Sequence, residues 1–370
     1  MNTTYFPNFH GFRFLAALAI VILHLFLMAR RYGWLTTAPG EWSELLSLGV
    51  DFFFVLSGFL ITGLIVDAKA KGALALRTFY LKRALRVFPL YFVVLAAVFV
   101  AAPRWGLPEI PEMPLGQDYG FQVTLHALLL PQVAKSFLAF VPYGGHLWTI
   151  GVEVMFYLIW PLFFVGSGSL RLIVAAVIGF LAVKLAALVT LGSGHPVSNF
   201  LAMSRFEILA MGGLGYIGLR YLSQTWSTKR PWLAAVADSA VSSRAMVLAL
   251  LLLLAGLTVV TWIYFPPAVH LVAGGFFTVL LVCSVTGAII LPYLESRPVR
   301  YLGELSYGIY MWHFIAIGLF KGICDDFGFL PVAPSFWFWY VGLSLVFTVG
   351  MAALSYHLIE APMNRLRRLL

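Results

Sequence analysis

Charge is what this sequence has least of. Only 11% of its 370 residues are charged, and Asp and Glu together number 15, whereas soluble domains carry about 25% charged residues. A chain this poor in charge cannot dress a water-facing surface, so a soluble globule is excluded. Cysteine is nearly missing too. Cys283 and Cys324 stand alone, with no CxxC spacing and no Cys/His cluster, so neither a disulfide framework nor a metal site is expected. There is no low-complexity tract, no internal repeat and no Gly/Ser linker to mark a second soluble unit. The first apolar run has no small-residue cleavage site after it and is followed by Arg30 and Arg31, which predicts a retained span and not a cleaved leader.

Apolar bulk is abundant. Hydrophobic residues make up 61% of the chain, with 32 Phe, 16 Tyr and 11 Trp, which excludes disorder and leaves a membrane protein. Runs near 20 residues, enough to cross about 30 Å of hydrocarbon, occur at 12–29, 46–66, 87–102, 148–167, 172–191, 203–221, 245–264, 268–291, 303–322 and 336–358. The fold class expected is therefore all-α: a polytopic membrane protein of about ten helices. The net charge of +9 reads as topology and not as a nucleic-acid surface. With the N-terminus placed in the cytoplasm, 16 of the 24 Lys and Arg residues fall inside and five outside, so both termini are expected to be cytoplasmic. Residues 103–147, interrupted by six prolines, read as an outer loop with a short interfacial or re-entrant helix whose backbone is satisfied by protein or water. One integral domain over 1–370 without an appended soluble domain is the simplest organisation.

Ionisable side chains at membrane depth are costly and point to function. His24, Asp51 and Glu153 each lie five residues from the outer end of their expected spans, about 7.5 Å below that edge. An imidazole beside a carboxylate can act as an oriented general base or as a nucleophile; a packing histidine hydrogen-bonded to a neighbouring helix is the bland alternative. Arg13 precedes His24 by eleven residues, about 20° beyond three full turns, so the two share one helix face about 16 Å apart. Arg83 and Arg86 are helix neighbours near the inner edge, a spacing that suits phosphate and equally an ordinary lipid-headgroup anchor. A charged inner mouth joined along one helix face to a protonatable outer site would fit a long phosphorylated cofactor. Gly213-Leu214-Gly215-Tyr216-Ile217-Gly218 matches GxGxxG inside a span, where close helix packing is the better reading. His313, near the midplane of the ninth span, reads more readily as a packing residue than as part of a substrate path. Lys184 could pair with a carboxylate or line the path, and Arg205 and Glu207 read as simple neighbours.

With these residues in hand the chain resembles the acyltransferase type 3 family of bacterial integral-membrane O-acyltransferases. The likeness spans Phe12-Arg13-Phe14-Leu15-Ala16-Ala17, the Arg13 and His24 pair, Gly49-Val50-Asp51-Phe52-Phe53-Phe54-Val55-Leu56-Ser57-Gly58, Arg83 with Arg86, Leu147-Trp148-Thr149-Ile150-Gly151-Val152-Glu153, and Ser306-Tyr307-Gly308-Ile309-Tyr310-Met311-Trp312-His313. The resemblance implies transfer of an acyl group, usually acetyl, from acyl-CoA on the cytoplasmic side of the bacterial inner membrane to a hydroxyl of an envelope or exported glycan. It implies Arg13, Arg83 and Arg86 as cofactor-binding residues and His24 as base or transient acyl carrier. Asp51 or Glu153 would then orient the imidazole, and His146 and Trp148 would frame a glycan or lipid-linked saccharide. No metal is expected. A transporter or flippase is the competing class, since buried charges and ten spans suit it as well; the missing inverted repeat counts against it.

Overall fold

The computed structural model describes residues 6–35, 41–101, 107, 118–138, 141–165, 169–229, 244–329, 331 and 334–370. Within them every regular element is helical. The longer helices are α1 (Phe9–Arg31), α2 (Leu48–Ala70), α3 (Leu76–Ala96), α7 (Leu170–Leu191), α9 (Phe206–Lys229), α10 (Arg244–Tyr264), α11 (Val269–Val285), α13 (Ser306–Phe327) and α14 (Pro334–Ser355). Between and after them lie the shorter α4 (Tyr119–Ala127), α5 (Pro131–Phe137), α6 (Trp148–Ile159), α8 (Pro196–Ser204), α12 (Arg297–Glu304) and α15 (Ala361–Leu369).

Among the described residues nine helical stretches are long and apolar enough to cross a membrane. The tenth expected span, over 148–167, is shorter: α6 has twelve residues and runs into a five-residue 3₁₀ turn, Trp160–Phe164. Pro161 enters there, lacking an N–H and crowding the preceding turn. The turn is nevertheless well anchored, because fully buried Trp160 donates from Nε1 to Thr62 Oγ1 at 2.8 Å. Most of the first part of the expected outer loop, 103–117, lies outside the described residues. The part that follows holds α4 and α5, whose buried His126 finds partners in protein: His126 Nδ1 meets the Gln122 carbonyl at 2.8 Å, and Tyr91 donates to the His126 carbonyl at 2.8 Å.

Two backbone contacts fix the frame of the site. In a bilayer, helices associate by close approach of small residues and not by excluding water, and α2 and α9 use reciprocal glycines. A Cβ at Gly58 would stand 1.8 Å from the Leu209 carbonyl oxygen, and one at Gly212 1.9 Å from that of Val55. The neighbouring glycine motif divides: a Cβ at Gly213 would meet the Trp160 ring at 2.7 Å and one at Gly215 would meet Thr278 at 2.5 Å, while Gly218 faces open space. The start of α1 is held by Asn8, left-handed at φ 65°. Its amide donates to the Ile289 carbonyl at 2.9 Å and accepts from the Leu291 N–H at 3.0 Å. Since α1 then runs the depth of the bundle, its first turns define one end and its last turns the other.

Candidate functional site

Among the described residues, the site residues line two cavities, one toward each end of α1. The first, about 380 Å³, is lined by Arg13 of α1, Arg83 and Arg86 of α3 and Arg367 of α15, together with Glu153, Tyr157 and Ser57. Each arginine arrives for a local reason. Arg13 lies one turn after the Asn8 anchor. Arg83 and Arg86 share a face of α3, and Tyr307 fastens that helix by donating to the Val87 carbonyl at 2.9 Å, two residues before Pro89 interrupts the regular bonding. Arg83 Nε and Arg367 Nη1 are buried without a hydrogen-bond partner among the described residues. A buried guanidinium N–H without an acceptor is costly, and an anion in this cavity would supply one.

Glu153 stands among these arginines. It accepts from Ser57 Oγ at 2.6 Å and from the Tyr157 hydroxyl, and Arg83 lines the same cavity as both Glu153 and Tyr157. One carboxylate therefore braces the wall from which a guanidinium projects.

The second cavity, about 210 Å³, is lined by His24, His146, Trp148, Lys135, Arg31 and Phe314 among others. His24 Nδ1 lies 3.0 Å from His313 Nε2, and hydrogen-bond chemistry fixes the proton on this pair. His313 Nδ1 lies 2.6 Å from the Tyr310 carbonyl, which can only accept, so that nitrogen carries the hydrogen and His313 Nε2 carries a lone pair. His24 must then donate from Nδ1, which leaves the lone pair of His24 on Nε2. The same reasoning applied to His146, whose Nε2 lies 3.1 Å from the Met311 carbonyl, puts its lone pair on the buried and unpartnered Nδ1. The three imidazoles form a cluster, with His313 ring centroids 4.9 Å from His24 and 4.8 Å from His146. Burial, then the neighbouring His313 and His24, hold His146 well below the usual histidine value, so it is neutral at physiological pH.

Lys135 stands over the Trp148 ring at 5.0 Å. Burial, then the charge of Arg205, lower its pKa to about 8.

The sequence-predicted residues are thus sorted into two groups. Arg13, Arg83 and Arg86 come together in one cavity, and His24, His146 and Trp148 in the other. The expectation that Asp51 or Glu153 orients His24 is corrected: the partner of His24 is His313. Equal depth does not specify direction around a helix axis. Val50 lines both cavities, so Asp51, one residue or 100° further round α2, faces α9 and α11. There it is fully buried and bound by Arg205 and by His270, whose Nδ1 lies 2.7 Å from Oδ2. Arg205 is accordingly not a simple neighbour of Glu207, which pairs with Lys184. Sequence reasoning missed His313 as a site residue and Arg367 altogether. The Tyr-x-x-His spacing of Tyr310 and His313 on one helix face was the available signal for the first; the second was hidden in a terminal basic run that topology alone explains.

Val50 and Tyr310 line both cavities, so they form part of the wall between the arginines and the histidines.

Comparison with known proteins gives the family. A family model described as "Acyltransferase domain" matches residues 6–356. YrhL of Bacillus subtilis, provisionally named a peptidoglycan O-acetyltransferase, is 28% identical over 400 residues, covering 97% of this chain and 55% of its own. OatA of Listeria monocytogenes, named a peptidoglycan O-acetyltransferase, is 27% identical over 391 residues, covering 98% of this chain and 56% of its own. The chain thus spans little more than half the length of these curated relatives. No solved structure matches it. A match over residues 6–356 places this multi-pass membrane protein in the acyltransferase type 3 family.

Proposed function

We propose that the chain is a membrane O-acyltransferase that takes an acyl group, acetyl first, from acyl-CoA in the arginine-lined cavity and delivers it to a hydroxyl of a glycan in the histidine-lined cavity. The observation that carries this reading is that two chemically opposite cavities share the wall residues Val50 and Tyr310, with His24 lining one of them; in this reading they open into each other there, at a waist through which the thioester reaches His24. The names of the relatives favour a peptidoglycan acceptor. The distribution of Lys and Arg favours an arginine cavity open to the cytoplasm of a bacterial inner membrane and a histidine cavity toward the outside.

Arg13, Arg83, Arg86 and Arg367 bind the phosphates of the donor, where guanidinium forks form charge-assisted hydrogen bonds. Glu153 balances the arginine cluster when no donor is bound. The pantetheine arm carries the thioester to the waist. His24 Nε2 takes the proton of the acceptor hydroxyl as its oxygen attacks the carbonyl carbon. The tetrahedral intermediate collapses, the carbon–sulfur bond breaks with its electron pair on sulfur, and the thiolate takes the proton from the imidazolium to leave as the free thiol. Throughout, His313 accepts from His24 Nδ1–H, fixing the tautomer and stabilising the imidazolium. Lys135 supplies positive potential to the cavity in which the oxyanion develops, and Trp148 and His146 frame the sugar. Asp51 acts at a distance, pinning α2 to the junction of α8 and α9 and to α11.

Purified protein in nanodiscs should release thiol from acetyl-CoA in the presence of soluble peptidoglycan fragments, and His24→Ala should abolish the release while still binding acetyl-CoA. Full transfer by His24→Ala would reject the assignment.

A further inference from the structure

We propose that the waist walled by Val50 and Tyr310 limits the size of the acyl group transferred, and that the side chain of Val50 sets the limit. The proposal rests on the donor and acceptor reading above. In that reaction the carbonyl carbon is bonded to a sulfur that comes from the arginine side and is attacked by an oxygen deprotonated on the histidine side. The carbon therefore reacts between the two cavities, and the alkyl part of the acyl group must fit against whatever walls the passage there. Val50 and Tyr310 are the residues common to both linings.

A size limit needs walls that do not retreat, and both are braced from behind. The Tyr310 hydroxyl lies 2.8 Å from Thr149 Oγ1 and donates to the His146 carbonyl at 3.0 Å, and its ring meets Phe53 edge-on at 6.3 Å between centroids. Val50 is followed directly by buried Asp51, which Arg205, at the junction of α8 and α9, and His270 of α11 grip. Shifting this turn of α2 outward would pull a buried carboxylate away from its partners, an expensive motion. This gives the buried ion pair a use: it keeps the branched side chain of Val50 at a set distance from the Tyr310 ring. Tightly packed walls discriminate single methylenes by roughly 10–200-fold.

The test compares wild type, Val50→Ala and Val50→Ile in nanodiscs with acetyl-, propionyl- and butyryl-CoA, and soluble peptidoglycan fragments as acceptor. The reading is the ratio of kcat/KM for butyryl to that for acetyl, which cancels differences in the amount of folded enzyme. The ratio should rise about tenfold or more in Val50→Ala and fall in Val50→Ile. Equal ratios in all three proteins, each transferring acetyl, would overturn the size limit and leave the acyltransferase reading standing. A wild type that releases thiol from none of the three donors would overturn that reading and this one with it.

Discussion

Removing the imidazole of His313 tests the proton placement derived for the histidine cluster. His313→Leu keeps the apolar volume of the site but leaves His24 Nδ1–H without the acceptor now 3.0 Å away. In the resting enzyme the loss is modest, because a second bond to the Ile20 backbone, one turn back, still restrains the ring. In the transition state His24 becomes an imidazolium, and a hydrogen bond from a charged donor is worth about 1.5–3 kcal/mol. At about 1.4 kcal/mol per tenfold, kcat should fall roughly 10- to 150-fold. The arginine cavity is untouched, so KM for acetyl-CoA should not change. His313→Gln restores an acceptor oxygen near Nε2 and should recover part of kcat, whereas a merely structural role would make Gln no better than Leu. Steady-state thiol release at saturating acceptor reads both parameters. A His313→Leu enzyme within twofold of wild type, or one in which only KM rises, would refute the tautomer argument.

Replacing Arg83 and Arg86 together by Met should raise KM for acetyl-CoA by more than tenfold with a smaller change in kcat, and Arg367→Met should do so more weakly; titration with acetyl-CoA by calorimetry checks this, and unchanged affinity would remove the phosphate role. Lys135, with its pKa lowered from 10.5 to about 8, is charged below that value and neutral above it. Activity should therefore decline as pH rises through about 8, and Lys135→Arg, which stays charged, should shift the decline upward. The sign for stability is opposite: the buried ammonium is a cost present in full below about 8 and relieved toward 10.5, so thermal stability near this site should rise over the interval in which activity falls. Gly58→Ala, whose added carbon would stand 1.8 Å from the Leu209 carbonyl oxygen, should lower Tm by several degrees or prevent folding, while Gly218→Ala, facing open space, should leave Tm unchanged in a detergent melt.

The helical class and the path of the chain were legible because a bilayer imposes length and hydropathy on each span, and the interior cations stood out against that background. Arg83 could be grouped with Arg86 because helix periodicity relates neighbours along one element, whereas joining Arg13 to them took the family resemblance. What the sequence could not supply was azimuth between elements. His24, Asp51 and Glu153 sit at similar depths, yet the rotation of α2 sends Asp51 to Arg205 and His270, and Glu153 turns to Ser57 and Tyr157. His313 looked like packing because a histidine among aromatics carries no local mark of its partner, which comes from a helix 289 residues earlier in the chain. Arg367 illustrates the converse: its role is visible only once α15 folds back against α3. The short sixth helix was overestimated because apolar residues continue past Pro161, beyond the point where regular bonding stops.

The reciprocal glycines of α2 and α9 have a bearing on how a large donor gets in. With backbone already against backbone on that flank, there is no slack to take up, and the flank behaves as an anvil. Accommodation falls to the opposite jaw, α3 and α15, whose Arg83, Arg86 and Arg367 face the same space. Under the proposed reading, the side that gives way to the donor would be the one that carries the positive charge.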